Sequence, residues 1–195
     1  MSAAVAERPK VMGSAPGAVP VIVTERLVLR PHRMSDADAI TQSLSDFAVT
    51  RMLSRVPVPY HRQDALDWLV PVTSGVVSDW YFAITQGDDA HIGTVGIDLR
   101  RGRWHLGYWL NRYYWGRGYI TEAAAAALER FSRRMPQVAV HSGVFTDNPA
   151  SLKVQEKLGF RMTGCVETFS FARNTMVPMV ETVLQPGDLR MPVKA

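Results

Sequence analysis

Between residues 104 and 134 an apolar, β-type segment runs through Trp115-Gly116-Arg117-Gly118-Tyr119-Ile120-Thr121-Glu122 into five consecutive alanines and Leu128-Glu129-Arg130-Phe131. No other stretch restricts the fold as much. Two glycines one residue apart leave backbone without side chains to hold a ligand away. The alanine run directly behind them is a strong helix former. A helix that starts where the backbone is bare presents unpaired N–H groups and the positive end of its dipole, a setting suited to phosphate. Arg112 and Arg117 add positive charge nearby. A P-loop is excluded because no Lys follows Gly118, and a dinucleotide fingerprint because Thr121 stands where its third glycine belongs. A phosphate-binding turn and a plain glycine turn with no ligand both remain open on this segment alone.

The chain has 195 residues, of which 47% are apolar and 21% charged, enough for one soluble domain with a real core. No apolar run approaches a membrane span, so no membrane role is expected. The net charge of +4 suits an anionic ligand, but the arginines are dispersed and no lysine-rich run marks a nucleic-acid surface. The lone cysteine, Cys165, excludes an intramolecular disulfide, points to a cytoplasmic setting, and reads as a small core residue. Cys and His fall at no metal-ligand spacing, and no metal is expected.

Met1 to Pro20 is rich in Ala, Pro and Gly and reads as a flexible tail rather than a signal peptide. One domain is expected over residues 21–188, with a short tail at 189–195. Thr24 to Arg30 alternates like a strand, and Ser35 is placed to cap a helix. A shorter helix around Asp46 to Met52 and another over Gln63 to Val77 follow. Strands are expected at Trp80 to Thr85, Ile92 to Leu99 and Trp104 to Leu110, then, after the alanine helix, at Val138 to Phe145. Pro149 to Leu158 is helical, with Pro at its start and Gly159 at its end. Phe160 to Phe171 and Met176 to Leu184 complete about seven strands. The order predicts an α/β (α+β) fold with a mixed, mostly antiparallel central sheet, parallel only in the pairs flanking the last two helices.

Three separated pieces in that order resemble one family, the GNAT-superfamily N-acetyltransferases, and within it the ribosomal-protein, Rim-type branch. Thr24-Glu25-Arg26-Leu27-Val28-Leu29-Arg30-Pro31 with Ser35-Asp36-Ala37 resembles its opening strand and helix. Leu106-Gly107-Tyr108-Trp109-Leu110 through Trp115-Gly116-Arg117-Gly118-Tyr119-Ile120-Thr121-Glu122-Ala123 resembles its acetyl-CoA core. Asn148-Pro149-Ala150-Ser151-Leu152 with Glu156-Lys157-Leu158-Gly159-Phe160 resembles its second cofactor helix. The resemblance implies a V-shaped opening between the central strands and an acetyl group moved from acetyl-CoA to a primary amine by direct attack in a ternary complex. It implies cofactor contacts at Leu110, Asn111, Trp115, Gly116, Arg117, Gly118, Tyr119, Ile120, Thr121, Asn148 and Ser151.

Acetyl transfer needs a base for the amine and a proton for the departing thiolate. Where the branch often has a Glu at the start of the Gly-Tyr-Trp strand, this chain has His105, a candidate base or a plain strand residue. Where many members have a Tyr on the last helix, it has Gln155, so Ser151 is the candidate acid. Ile120 replaces the usual Ala or Gly and faces either the cofactor or the core. His91, His141 and Asp147 look unremarkable. Arg51 to Trp80, with Tyr60, Trp68 and Trp80, and Glu167 to Thr175 are expected to border an acceptor of unknown identity. The two missing residues also allow a non-catalytic acyl-CoA sensor. An exposed last strand allows monomer or homodimer.

Overall fold

The computed structural model describes residues 15–75 and 78–192. One sheet runs through it in the order β1 (Ile22–Val23), β2 (Val28–Pro31), β3 (Trp80–Thr85), β4 (His91–Arg100), β5 (Arg103–Leu110), β6 (Val140–Phe145), β8 (Thr175–Leu184), β7 (Arg161–Ser170). Among the described residues every pairing is antiparallel except β5 with β6. The expected second parallel pair does not form. Strand β8 folds back from β7 and inserts beside β6, because a short hairpin closes at less entropic cost than another crossover. The first strand is also shorter than its alternation suggests. At Thr24 the hydroxyl and backbone turn onto Leu27, so β1 and β2 form a small hairpin and the sheet has eight strands.

Helices cover both faces. On one lie α1 (Ala37–Leu44), α2 (Phe47–Thr50) and α3 (Arg62–Thr73); on the other lie α4 (Tyr119–Arg134) and α5 (Pro149–Leu158). The alanines explain how α4 fits. Ala123, Ala124 and Ala127 are fully buried and let the helix approach the sheet closely, while Phe131 fills the space between the Trp80 and Trp104 rings. Helix α3 contains Pro71 and ends at Thr73, short of the expected Val77, which lies outside the described residues.

The cap of the first helical segment differs from expectation. Ser35 sits inside a 3-10 turn, Met34–Asp36, and Asp36 reaches back to accept the Arg33 N–H at 2.9 Å. Asp36 also takes both Nη atoms of Arg30, at 3.0 and 2.8 Å, with the pair almost fully buried. Burial alone would raise this carboxyl, but bonds from His32, Arg30 and the Arg33 amide outweigh it and hold Asp36 far below the ordinary carboxylate range.

Both ends of the described chain pack onto the domain. The Trp80 indole donates to the Gly17 carbonyl at 2.8 Å, and Val19 packs on the core, so packing begins before residue 20. The Arg190 N–H donates to the Leu158 carbonyl at 3.0 Å, within the expected C-terminal tail. The rest of both expected tails, residues 1–14 and 193–195, lies outside the described residues. Cys165 is exposed on β7 rather than in the core.

Breaking the Arg30–Asp36 pair leaves a buried guanidinium with only the half-exposed Asp89 carboxylate, on its Nε, as ion-pair partner. Asp36→Asn is expected to lower urea-unfolding stability by about 3–5 kcal/mol, whereas Asp38→Asn, at an exposed carboxylate, changes it by less than about 0.5 kcal/mol. Because the Asp36 pKa is depressed in the folded state, the difference is full at neutral pH and shrinks only as the pH falls below the unfolded value of ~3.9.

Candidate active site

Strands β5 and β6 run side by side for only two registered pairs, Trp104 with Val140 and His105 with His141. Beyond them β5 continues to Leu110 and β6 to Phe145 without pairing, so the sheet opens at the carboxyl ends of two parallel strands. Such an opening is where α/β sheets hold ligands. A polar wedge fixes its apex. The Ser142 hydroxyl donates to the Leu106 carbonyl at 2.9 Å, Gln155 Nε2 donates to Ser142 Oγ at 2.7 Å, and the Thr182 hydroxyl donates to Gln155 Oε1 at 2.6 Å. All three side chains are buried. Gln155 therefore braces the split, a role invisible from its position in the chain.

Backbone alternation gives β5 a free edge along the opening. The Leu106 carbonyl meets Ser142, and the Leu110 carbonyl accepts the Trp115 indole N–H at 2.9 Å, so even-numbered residues turn toward the gap. Tyr108 shares that side. Asn111, by contrast, turns away: its N–H donates to the Ile92 carbonyl at 2.9 Å. Its side chain accepts from Tyr113 N–H and donates to Ser43, which leaves it a structural cap.

At the end of β5 the glycine turn adopts the form its sequence requires. Gly116 and Gly118 both have φ of 75°, the left-handed region, and Gly118 is the N-cap of α4 with no side-chain cap. A Cβ on Gly116 would meet no atom within 4 Å. The helix thus presents uncapped N–H groups at an open surface. Glu122 secures this turn from below. It accepts the Thr24 hydroxyl at 2.7 Å and the Arg26 N–H at 3.0 Å, and pairs with the Arg26 guanidinium at 2.7 Å. Arg26 also donates to the Arg117 carbonyl at 2.9 Å and lies 4.8 Å from the centre of the Tyr119 ring. Ile120 packs partly against the core.

From the other side of the gap, Asn148 caps α5 by accepting the Ser151 N–H at 3.2 Å. The Ser151 hydroxyl lies 2.9 Å from the phenol of Tyr108, which sequence reasoning did not single out. The signal was available, since Tyr108 belongs to the Gly-Tyr-Trp segment, but pairing it with Ser151 requires the fold. Burial pushes the phenol up to about 12, so it stays protonated.

His105 lies on the opposite face of β5, beside the apex, directly across from Asp98 and next to His141. Burial, with the positive charge of Arg100, pushes its pKa down to about 4, so the imidazole is neutral at physiological pH. One continuous groove joins His105 to Tyr108, Gly116 and Ser151, and reaches Tyr60 and Trp68. Trp80 is not part of it; that side chain is fully buried on the α4 face.

Two residues read as unremarkable prove otherwise. Asp147 gathers Arg51 at 2.7 Å and Arg173 at 2.9 Å, tying the segment after α2 to the β7–β8 hairpin. His91 joins His32 and Asp36 in a cluster whose potential ligand atoms lie within 4.8 Å of one another, a grouping that spacing in the chain does not reveal. Asp36 is already saturated by Arg30, Arg33 and His32, whereas neither buried ring nitrogen of His91 has a hydrogen-bond partner among the described residues.

The comparisons with known proteins agree with this geometry. Residues 26–161 match the acetyltransferase (GNAT) domain family, and the chain belongs to it: it is an acetyl-CoA-dependent N-acetyltransferase. The uncharacterized N-acetyltransferase p20 of Bacillus licheniformis is 27% identical over 161 residues, covering 80% of this chain and 90% of the relative. A GNAT-family acetyltransferase from Bacillus anthracis superposes with a TM-score of 0.73 at 21% identity, covering 86% of this chain and 99% of its own. RimL, the ribosomal L7/L12 alpha-N-protein acetyltransferase solved in complex with coenzyme A, superposes with a TM-score of 0.73 at 16% identity, covering 85% and 98%. These likenesses establish the fold, and they include the Rim-type branch. Among the described residues no helix is long and apolar enough to cross a membrane.

The wedge at the apex gives a direct check. Gln155→Leu strands the Thr182 hydroxyl in the interior and takes a donor from Ser142, and is expected to lower unfolding free energy by about 1–3 kcal/mol in a denaturant titration. Glu156→Leu, on the exposed side of the same helix, should stay within about 0.5 kcal/mol of the parent.

Proposed function

We propose that this chain acetylates a primary amine by direct attack in a ternary complex. Acetyl-CoA would lie along the β5 edge, and its pyrophosphate would rest on the turn Trp115 to Thr121. The observation that carries this reading is the coincidence of an open strand edge, an uncapped helix start with open space at Gly116, and paired hydroxyls at one split in the sheet. The residues fit the group: N–H donors for its phosphates and strand-like backbone at Tyr108 and Leu110 for its amide-bearing arm. Asn148 and Ser151 border the same arm, and Arg117 adds charge at the phosphates. Bound acetyl-CoA supplies an activated thioester. Acceptor binding is assigned to the groove by Tyr60 and Trp68.

His105 is the base in this reading. Its neutral imidazole keeps a free lone pair, and an amine that has begun to attack becomes far more acidic than the free alkylammonium, near pH ~10. A weak base therefore suffices. Ser151 donates toward the leaving sulfur from the other face of β5, and Tyr108 stands behind it as the proton source, since serine alone is a poor acid. This hydroxyl pair answers the lack of a tyrosine at Gln155, which was the main argument for a non-catalytic sensor.

Three measurements test the reading. Acetyl-CoA at a hundred times its dissociation constant should stabilise the protein by about 2.7 kcal/mol. Gly116→Asp, an αL-tolerant residue that adds negative charge to the open space, should remove that gain; an undiminished gain rejects the phosphate assignment. His105→Ala should lower kcat by at least about tenfold with acetyl-CoA affinity unchanged. Because the His105 pKa is depressed to about 4, the wild-type rate should show its acid-side inflection there and none near pH 6.5; an acid-side inflection that persists unchanged in His105→Ala would reject the histidine's role. Tyr108→Phe and Ser151→Ala should each reduce kcat without raising the KM for acetyl-CoA, and the double variant should be little worse than the worse single one.

A further inference from the structure

The wall of the groove beside His105 is built from arginines. Strands β4 and β5 are joined by a two-residue turn, Arg101-Gly102, flanked by the registered pair Arg100 and Arg103. Arg101 has φ of 48° and Gly102 of 79°, a turn whose first position favours Asn, Asp or Gly. An arginine stands there instead. Arg55, from the segment after α2, brings a fourth guanidinium to within 3.8 Å of Asp98. All four line the groove that contains His105.

Against these four, three carboxylates are close: Asp98, Asp79 and the exposed Glu181, which lines the same groove on the His141 side. Asp98 is 4% exposed and receives the Nε and Nη2 of Arg100, while Asp79 accepts the Leu99 N–H at 3.0 Å. Among the described residues Arg101 and Arg103 form no ion pair, and both are exposed. Arg103 lies near enough to His105 and His141 to lower the proton affinity of each. Farther along the groove, Asp64 is occupied by the His61 N–H and Asp67 by the Gln63 amide. The rim beside the candidate base therefore has unspent positive charge in fork-shaped donors, the geometry that takes a carboxylate or phosphate in two parallel hydrogen bonds.

We infer that the acceptor is an amine carrying an anionic group, a carboxylate or a phosphate, within a few bonds or residues of the reacting nitrogen, and that Arg101 and Arg103 read that group. This deepens the acetyltransferase reading and rests on it for where the amine lies. Polyamines and aminoglycosides are disfavoured, because their additional positive charges would face the same arginines.

The test uses the full chain with four peptide amides of matched length, each with a free N-terminal alanine: Ala-Glu-Glu, Ala-phosphoserine-Gln, Ala-Gln-Gln and Ala-Lys-Lys. Thiol release gives kcat/KM for each, and calorimetry in the presence of CoA gives binding independently of turnover. The acidic or the phosphorylated peptide should exceed the neutral one by about tenfold or more in both readouts, with the lysine peptide weakest. The two anionic arms decide between carboxylate and phosphate. In Arg101→Asn/Arg103→Glu the advantage should vanish while acetyl-CoA stabilisation is unchanged; Asn suits the left-handed turn position, so folding is preserved. Equal binding of all four peptides, a preference for lysine, no binding of any, or an advantage that survives in the variant overturns the inference. Binding of the anionic peptides that is lost in the variant, with no thiol released, supports the arginine site and rejects the proposed attack by an amine held in this groove instead.

Discussion

The parting of β5 from β6 is the constraint on which the other features depend. Two parallel strands that paired along their whole length would leave no free backbone edge, no groove through the sheet, and no way for groups on its two faces to meet. The split persists because its apex is made polar and is then fully satisfied. Ser142, Gln155 and Thr182 form a buried chain of hydrogen bonds that ends on the Leu106 carbonyl. A buried polar chain of this kind is stable only when complete, which makes the place of divergence sharp.

In the proposed mechanism the two faces of β5 divide the chemistry between them. Tyr108 points to the α4–α5 side, into a setting that keeps a phenol protonated, and His105 points to the α1–α3 side, into one that keeps an imidazole neutral. Burial sets both states, acting in opposite directions on an acid that becomes charged when it loses a proton and a base that becomes charged when it gains one. Strand alternation alone separates a protonated phenol from a neutral imidazole.

Much of this was legible in the chain because the relevant signals are local. The glycine pair, the alanine run, the Pro149 start and the Gly159 stop each specify backbone conformation over a few residues, and the structure reproduces them. What was not legible depends on distant pairing. Nothing near Thr24 announces that its hydroxyl will turn the chain and meet Glu122. Nothing near residue 175 announces that β8 will insert beside β6. Cys165 sits in an apolar stretch yet is exposed, because its strand ends the sheet among the described residues. Gln155 seemed a loss of chemistry when judged against a family pattern, and the fold gives it a different task. Tyr108 was within a recognised segment, but its partner lies 43 residues away.

The carboxylate of Glu122 has a consequence for how the molecule assembles. Helix α4 and the strand before it are neighbours in sequence and can organise early, whereas the contacts of Glu122 with Thr24 and Arg26 close loops of 98 and 96 residues. Long closures of this kind come late, after the entropy of the intervening chain has been surrendered. The turn assigned to the phosphates is thus completed by the β1–β2 hairpin, whose contacts with it are among the last to settle. Tight holding of a nucleotide at this turn would then report that the whole intervening sheet has been laid down.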